Sequence, residues 1–288
     1  MTEPENVLRG SGMYKIVYKE KLASGIWMMK VMAPLVARKA MPGQFIILRV
    51  DEEGERIPLT IADFDRQEGW ITIIFQEVGL TTRLLAALNE GDSILDFAGP
   101  LGRPSELDGL KRVLCIGGGV GVAPLYPQVK HLWDNNCSVD VIIGARNKDY
   151  LLLEKEMKAV CNNLYITTDD GSCGRKGFVS DVLKELLEQG NQYDMVIAIG
   201  PLIMMKVVSQ ITKQYDVPTI VSMNPVMIDG TGMCGGCRVT VGGEVRYACV
   251  DGPDFDGHLV DFDEAMRRQQ MYREEENHIC RIMGMEGV

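Results

Sequence analysis

Three of the eight cysteines stand close together, at Cys234, Cys237 and Cys249. With Asp229 they read D-x4-C-x2-C-x11-C. A CxxC pair with a further cysteine nearby is metal-ligand spacing, because thiolates bind soft and borderline metals. Plant-type 2Fe–2S sites use C-x4-C-x2-C and a distant fourth cysteine. Here Asp229 stands where the first cysteine would be. Gly230, Gly232, Gly235 and Gly236 let the loop curl and aim N–H groups at sulfur. A zinc site with His258 as fourth ligand and a set of unligated thiols are the alternatives. Asp229 is either a ligand or a support that hydrogen-bonds the cysteine loop. The remaining cysteines, Cys115, Cys137, Cys161, Cys173 and Cys280, are scattered and read as small buried hydrophobes.

A second chemical signal begins at Gly117. The apolar run Val113–Ile116 leads into Gly117-Gly118-Gly119-Val120-Gly121-Val122-Ala123-Pro124. A strand, a glycine-rich turn and a helix N-terminus form a diphosphate site, since backbone N–H groups and the helix dipole face the anion. The G-x-G-x-x-G pattern is not met, because Val122 fills the last glycine position. No acid ends the second strand, where Gly144-Ala145-Arg146 stands, so this is not the common NAD-dehydrogenase form. A tight turn without a ligand is the plain alternative. His131 and His278 read as ordinary helix residues. No Ser/His/Asp or Cys/His constellation is present, so no catalytic protein residue is expected.

These sites need elements to hold them. The first third shows short strands at Met13–Lys19, Ile26–Met32, Gln44–Val50, Trp70–Gln76 and Ser93–Ala98, with a helix at Thr81–Asn89. Evenly spaced short strands predict an antiparallel barrel or sandwich. From Val113 the pattern alternates. Strands at Val113–Ile116, Val139–Ile143, Leu164–Thr168, Met195–Ile199 and Thr219–Ser222 are separated by helices at Pro124–Trp133, Leu152–Val160, Val179–Glu188 and Leu202–Gln214. That predicts an α/β domain with a parallel sheet covered on both faces. The expected divisions are 1–106 for the barrel, 107–223 for the α/β domain, 224–260 for the cysteine-bearing region and 261–288 for a charged helical tail. Together these make a multidomain α+β protein.

The chain has 288 residues, 46% of them hydrophobic, and a formal charge of −10. An acidic chain repels phosphates, so nucleic acid is not an expected partner. No run reaches the ~18 apolar residues of a spanning helix, and the polar start MTEPENVLRG does not read as a secretory signal. No membrane insertion and a cytoplasmic location are expected.

The segments RIPLT, GGGVGVAP and the cysteine region, in that order, resemble the ferredoxin-reductase-like flavoprotein family. Within it, the chain is similar to electron-transfer subunits of the dihydroorotate dehydrogenase type. It is still more similar to the small subunits of the NADH-dependent ferredoxin:NADP oxidoreductase, or sulfide dehydrogenase, type. The segment CVDGPDFDGHLVDFDEAMRRQQMYREEE carries that closer likeness.

The resemblance implies FAD in the barrel, with Pro58, Leu59 and Thr60 beside the flavin ring and Thr60 near its N5. The family's Arg-x-Tyr-Ser is altered here: Ile57 occupies the arginine position, and Arg56, one residue earlier, is the candidate for the FAD diphosphate. Gly79, Thr81 and Thr82, opening the helix, would meet FAD phosphate; ordinary capping by Thr82 is the alternative. Arg146 would lie along the dinucleotide, and Gly200-Pro201 would back the nicotinamide. Asp169 and Asp170 end the third strand, where ligands bind. Two carboxylates accept from ribose hydroxyls and repel a 2′-phosphate, which favours NAD(H) over NADP(H). The alternative there is a solvated turn. Members of the resembled type carry an aspartate in the cluster set, as at Asp229. The implied partner is a larger flavin and 4Fe–4S subunit that reacts with NADP(H) and ferredoxin, the pair bifurcating electrons. The tail is a candidate for that interface.

Overall fold

The computed structural model describes residues 14–271. Met13, Cys280, His278 and the expected tail helix beyond residue 271 lie outside the described residues.

The N-terminal part contains β1 (Tyr14–Ala23), β2 (Ile26–Met32), α1 (Pro34–Lys39), β3 (Phe45–Arg49), β4 (Ile57–Asp65), β5 (Trp70–Gln76), α2 (Leu80–Ala87), β6 (Ser93–Ile94) and β7 (Asp96–Leu101). The strands form one antiparallel sheet in the order β6-β1-β2-β5-β4-β3-β7. Its two edge strands, β6 and β7, are separated in the chain by Leu95 alone. The sheet must therefore curl until its edges meet, which gives the expected barrel. The reading of Ser93–Ala98 as one strand is corrected here. It is interrupted at Leu95, whose N–H bonds the Val50 carbonyl beyond the end of the β3–β7 pairing. Two elements had not been expected. β4 carries Pro58 at its second position, a residue that weakens a strand reading, and α1 is too short to show a period.

The second part contains β8 (Arg112–Gly118), α3 (Val122–Asp134), β9 (Ser138–Ala145), α4 (Glu154–Ala159), β10 (Asn163–Thr168), β11 (Arg175–Lys176), α5 (Val179–Glu188), β12 (Met195–Ile199), α6 (Leu202–Gln214) and β13 (Thr219–Ser222). β10, β9, β8, β12 and β13 run parallel in that spatial order. Numbered within this domain, the order is 3-2-1-4-5, a doubly wound sheet with its switch point beside β8. The helix read at Leu152–Val160 is shorter than expected, because Leu153 takes a left-handed conformation at φ 52° and the helix starts after it.

The cysteine-bearing region adds β14 (Arg238–Val241), β15 (Glu244–Tyr247), β16 (Asp254–Asp256) and α7 (Phe262–Gln269). β16 pairs antiparallel with β13 and extends the second sheet. The region is thus built onto the α/β domain. It also grips the barrel's exit. Arg103 donates from its backbone N–H to Gly252 at 2.7 Å and from Nε to Val250 at 3.1 Å. The Ser105 hydroxyl donates to the Asp254 carboxylate at 2.5 Å.

Asp254 lies where barrel, connecting segment and second sheet meet. Burial outweighs the Ser105 and Ser222 hydroxyls and raises its carboxyl above the ordinary 3.8. The folded state therefore favours the neutral acid. That contribution to stability is complete below the ordinary value and is lost as pH rises through the raised one. Asp254→Asn should gain thermal stability relative to the unmodified protein at pH 8, and less or none at pH 4. Each 1 kcal/mol of gain is worth roughly 2–4 °C in Tm. Melting curves at the two pH values check this; an equal offset at both would refute it.

Candidate functional site

The site is built on the outer face of β3 and β4. Cross-strand partners in an antiparallel sheet point to the same face. Phe45 pairs with Thr60, and Ile47 with Pro58. Between them Ile46, Leu48 and Ile61 point inward and are fully buried in the barrel core. Phe45 and Ile47, by contrast, are buried in the core shared with the α/β domain and the cysteine region. Ala62, next on the outer face after Thr60, packs under α3 with Ile74 and Val122. Pro58 and Thr60 stay partly open between these contacts. The strip predicted to carry a flavin therefore runs between the α/β domain and the cysteine loop. Arg56 is exposed at its near end.

The cysteine loop reaches that face through Gly230. A Cβ there would lie 2.6 Å from Leu101 Cδ1 and 2.9 Å from Ile47 Cδ1, and the residue sits at φ 74°. Only glycine suits both the contact and the conformation. Asp229 Oδ1 accepts from Thr231 N–H at 2.9 Å, and Oδ2 accepts from Cys234 N–H at 2.8 Å. These bonds hold its carboxyl below the usual range, Thr231 contributing most. Cys237 and Cys249 are buried with sulfurs 3.1 Å apart, and Cys234 is exposed on the same loop. Burial, then the neighbouring Cys237 thiol, pushes the Cys249 thiol up. Gly236 N–H points at Cys234 Sγ from 3.5 Å.

Among the described residues, no three His, Cys, Asp or Glu side chains are already gathered as a metal set. The structure joins Cys237 to Cys249, and Asp229 to the Cys234 backbone, as two halves. Three thiols, a carboxylate and an N–H aimed at sulfur are nevertheless a donor set fitted to an iron–sulfur cluster. His258 does not belong to it. Its Nε2 lies 3.0 Å from the Thr212 hydroxyl of α6, which removes the zinc alternative that relied on it.

The glycine-rich turn divides by role. A Cβ on Gly121 would fall 2.3 Å from the Ile199 carbonyl oxygen, and one on Gly117 would fall 2.9 Å from Val122 Cγ2. Gly118 and Gly200 meet at the ends of β8 and β12, where each Cβ would strike Met204. These glycines let the strand ends and α3 pack closely. Gly119 differs: it has φ 55°, and a Cβ there would meet nothing within 4 Å. It is the position open to an approaching ligand. Val122 and Ala123 are buried beneath the turn, Pro124 is partly buried in the first turn of α3, and Pro201 is exposed beyond Gly200.

Arg146 is exposed at the end of β9. Asp170 Oδ1 accepts from Ser172 N–H at 2.9 Å, and the Ser172 hydroxyl lowers the carboxyl further. That acid serves its own turn, while Asp169 stands exposed beside it. The Thr82 hydroxyl accepts from Val78 and Gly79 N–H, each at 3.0 Å, and donates to Gly79 C=O. It caps α2, as the alternative reading held, and Thr81 beside it is buried. Phe45, Ile47 and Leu101, which floor the site, had not been singled out; the unbroken apolar run Phe45–Leu48, the mark of a strand covered on both faces, was the available signal.

Of the scattered cysteines, Cys115, Cys137 and Cys161 are buried and Cys173 partly so. Burial raises the Cys161 thiol to about 11. Cys115, Cys137 and Cys161 are core residues, as expected, while Cys173 lies outside the core clusters in a turn. Among the described residues no helix is long and apolar enough to cross a membrane.

Comparison with known proteins agrees with this layout. Residues 115–210 match the family described as oxidoreductase NAD-binding domain. Residues 224–261 match the iron–sulfur cluster binding domain of dihydroorotate dehydrogenase B. The chain is 58% identical over 272 residues to an uncharacterized protein of Clostridium beijerinckii, covering 92% of each. It is 46% identical to a dihydroorotate dehydrogenase B (NAD(+)) electron transfer subunit homolog of Thermotoga maritima, covering 93% of this chain and 94% of that one. It superposes with a TM-score of 0.89 and 44% identity on a chain of an NADH-dependent reduced ferredoxin-NADP oxidoreductase, a structure described for flavin-based electron bifurcation. That match covers 96% of this chain and 100% of the other.

The two kinds of glycine should separate by experiment. Gly121→Ala should destabilise the protein by about 1–3 kcal/mol, since backbone has to move. Gly119→Ala should cost about 1–2 kcal/mol, for its left-handed conformation alone. Only Gly119→Ala should weaken dinucleotide binding out of proportion to its lost stability. Denaturation curves paired with NADH titrations read both quantities.

Proposed function

This chain belongs to the dihydroorotate dehydrogenase B electron-transfer subunit family, and from that membership we propose that it is the NAD(H)-reacting subunit of an electron-bifurcating NADH-dependent ferredoxin:NADP oxidoreductase. It would hold FAD, NAD(H) and a 2Fe–2S cluster. When bound, these groups supply the chemistry, hydride exchange between nicotinamide and flavin and one-electron exchange with the cluster. The chain's own part is to bind, orient and exclude water. The carrying observation is the outer face of β3 and β4, covered by the α/β domain on one side and the cysteine loop on the other.

On this reading Pro58 and Thr60 line the flavin, with Thr60 toward its reactive edge; Leu59, paired with the inward-facing Ile46, turns its side chain into the barrel core and offers the flavin only its backbone. The α2 N-terminus at Gly79 and Thr81 faces FAD phosphate, and Arg56 assists from the strand end. Gly119 admits the dinucleotide diphosphate to the N-terminus of α3, while Gly117, Gly118, Gly121 and Gly200 keep that turn close to the sheet. Ala123, Pro124, Arg146 and Pro201 border the same crevice. Asp169, the acid not engaged in its own turn, would receive ribose hydroxyls and disfavour a 2′-phosphate. Asp229, Cys234, Cys237 and Cys249 would hold the cluster.

A larger flavin and 4Fe–4S subunit, and ferredoxin through it, complete the proposal. The loop around the cysteines presents Ile228, Met233, Val245 and Val250 to solvent, Met233 at 87% exposure. A patch of that kind beside a redox site suits a protein partner. None of the described cysteines is in a disulfide, which suits the reducing cytoplasm.

The anaerobically purified protein should be yellow and contain iron; a colourless, iron-free chain would defeat the proposal. NADH should bleach the flavin faster than NADPH. Asp169→Asn should narrow that preference by about tenfold, the worth of one charge-assisted hydrogen bond. Cys237→Ser should lose cluster absorbance and keep the flavin. Asp229→Cys should keep the cluster but change its electron paramagnetic resonance spectrum. The co-purifying subunit distinguishes a bifurcating complex from a dihydroorotate-oxidising one.

A further inference from the structure

Two arginines donate to backbone carbonyls adjoining the cysteines. Arg268, in the last turn of α7, donates from Nη2 to the Gly236 carbonyl at 3.3 Å. Gly236 lies between Cys234 and Cys237, and its own N–H faces Cys234 Sγ. Arg103 donates to the Val250 carbonyl, the residue after Cys249. The two differ in charge compensation. Arg103 is 68% exposed and lies 3.9 Å from the Asp251 carboxylate. Arg268 is partly buried and, among the described residues, is paired with no carboxylate.

Helix α7 is firmly placed for this contact. Asp261 caps it by accepting from Glu264 N–H at 2.8 Å, Phe262 is buried in the shared core, and Asp263 meets Lys206 of α6 at 2.7 Å. Arg268 therefore holds a positive charge that no carboxylate among the described residues pairs with, beside a loop whose donor set is strongly negative. That set is three thiolates and the Asp229 carboxylate once a cluster is bound. Reduction adds one electron and no proton, so the loop becomes more negative by one charge. A fixed cation stabilises the reduced state more than the oxidised one, and more so where it is partly desolvated.

We propose that Arg268 is a positioning residue that anchors the CxxC loop through Gly236 and, by its charge, sets the cluster's reduction potential higher than the loop alone would. The inference rests on the 2Fe–2S reading above. It gives the first turns of the charged C-terminal segment a role in electron transfer that does not require a partner subunit.

The test is a redox titration of the full-length protein, read by electron paramagnetic resonance, with iron content measured alongside. Arg268→Gln keeps a hydrogen-bond donor and removes the charge. Its cluster should be harder to reduce, with the reduced-to-oxidised ratio at a given potential falling about tenfold, or about 59 mV for one electron. Arg268→Lys keeps the charge and should restore most of the difference. Arg103→Gln, whose charge is already offset by Asp251, should move the potential less. An Arg268→Gln protein with full iron and an unchanged potential would overturn the inference. Equal shifts in the Gln and Lys variants, or loss of iron from both, would also overturn it, because each marks a contact role without a charge role. A missing cluster signal in the unmodified protein would instead defeat the 2Fe–2S reading and this inference together.

Discussion

The outer face of β3 and β4 has two neighbours, and the rest of the molecule is arranged to keep both in place. Thr60 and Pro58 share that face with Phe45 and Ile47. Phe45 and Ile47 are buried in the core shared by the α/β domain and the cysteine region, while Ala62 packs with α3. Fully burying a side chain the size of Ile or Phe is worth about 1.5–3 kcal/mol. A few such contacts suffice to fix how three regions of the chain lie around one strip of sheet.

That constraint explains features that otherwise look unrelated. β16 returns the chain to the second sheet after the cysteines have been presented to the barrel. Gly230 and Gly102 are small where the cysteine region meets the barrel; a Cβ on Gly102 would lie 2.8 Å from Phe45 and 3.0 Å from Pro253. Ser105 and Asp254 close the same seam with a polar contact. Each shortens the path between the proposed flavin strip and the cysteine loop, and a short path between redox groups is what an electron-transfer subunit needs.

The charges follow the same plan. The chain is acidic overall, yet the carbonyls adjoining the cysteines are met by Arg103 and Arg268. A negative donor set in an acidic protein would resist a further electron. Local cations offset that resistance without changing the ligands.

Much of this was legible in the residues themselves. The D-x4-C-x2-C-x11-C spacing, the glycine-rich turn after an apolar strand and the change from short strands to strand–helix alternation are local patterns. Local patterns suffice because ligand spacing, backbone freedom and hydrophobic period are properties of neighbouring residues. They identified the α/β domain, an antiparallel β domain and the cysteine ligand candidates, while the barrel form of the β domain came from the family resemblance. Tertiary structure decided what depends on residues far apart in the chain. It showed that Gly121 serves packing while Gly119 is open, and that Thr82 and Asp170 spend their polar groups on their own turns. It turned His258 toward Thr212, away from the cysteines. It made Pro58 part of a strand because β3 pairs with it on one side, while the β5 pairing begins only at Ile61. It set Arg268 against Gly236, 32 residues away. No sequence window contains both ends of such contacts; only the packed fold, through burial and the need to pair polar groups, selects among the local options.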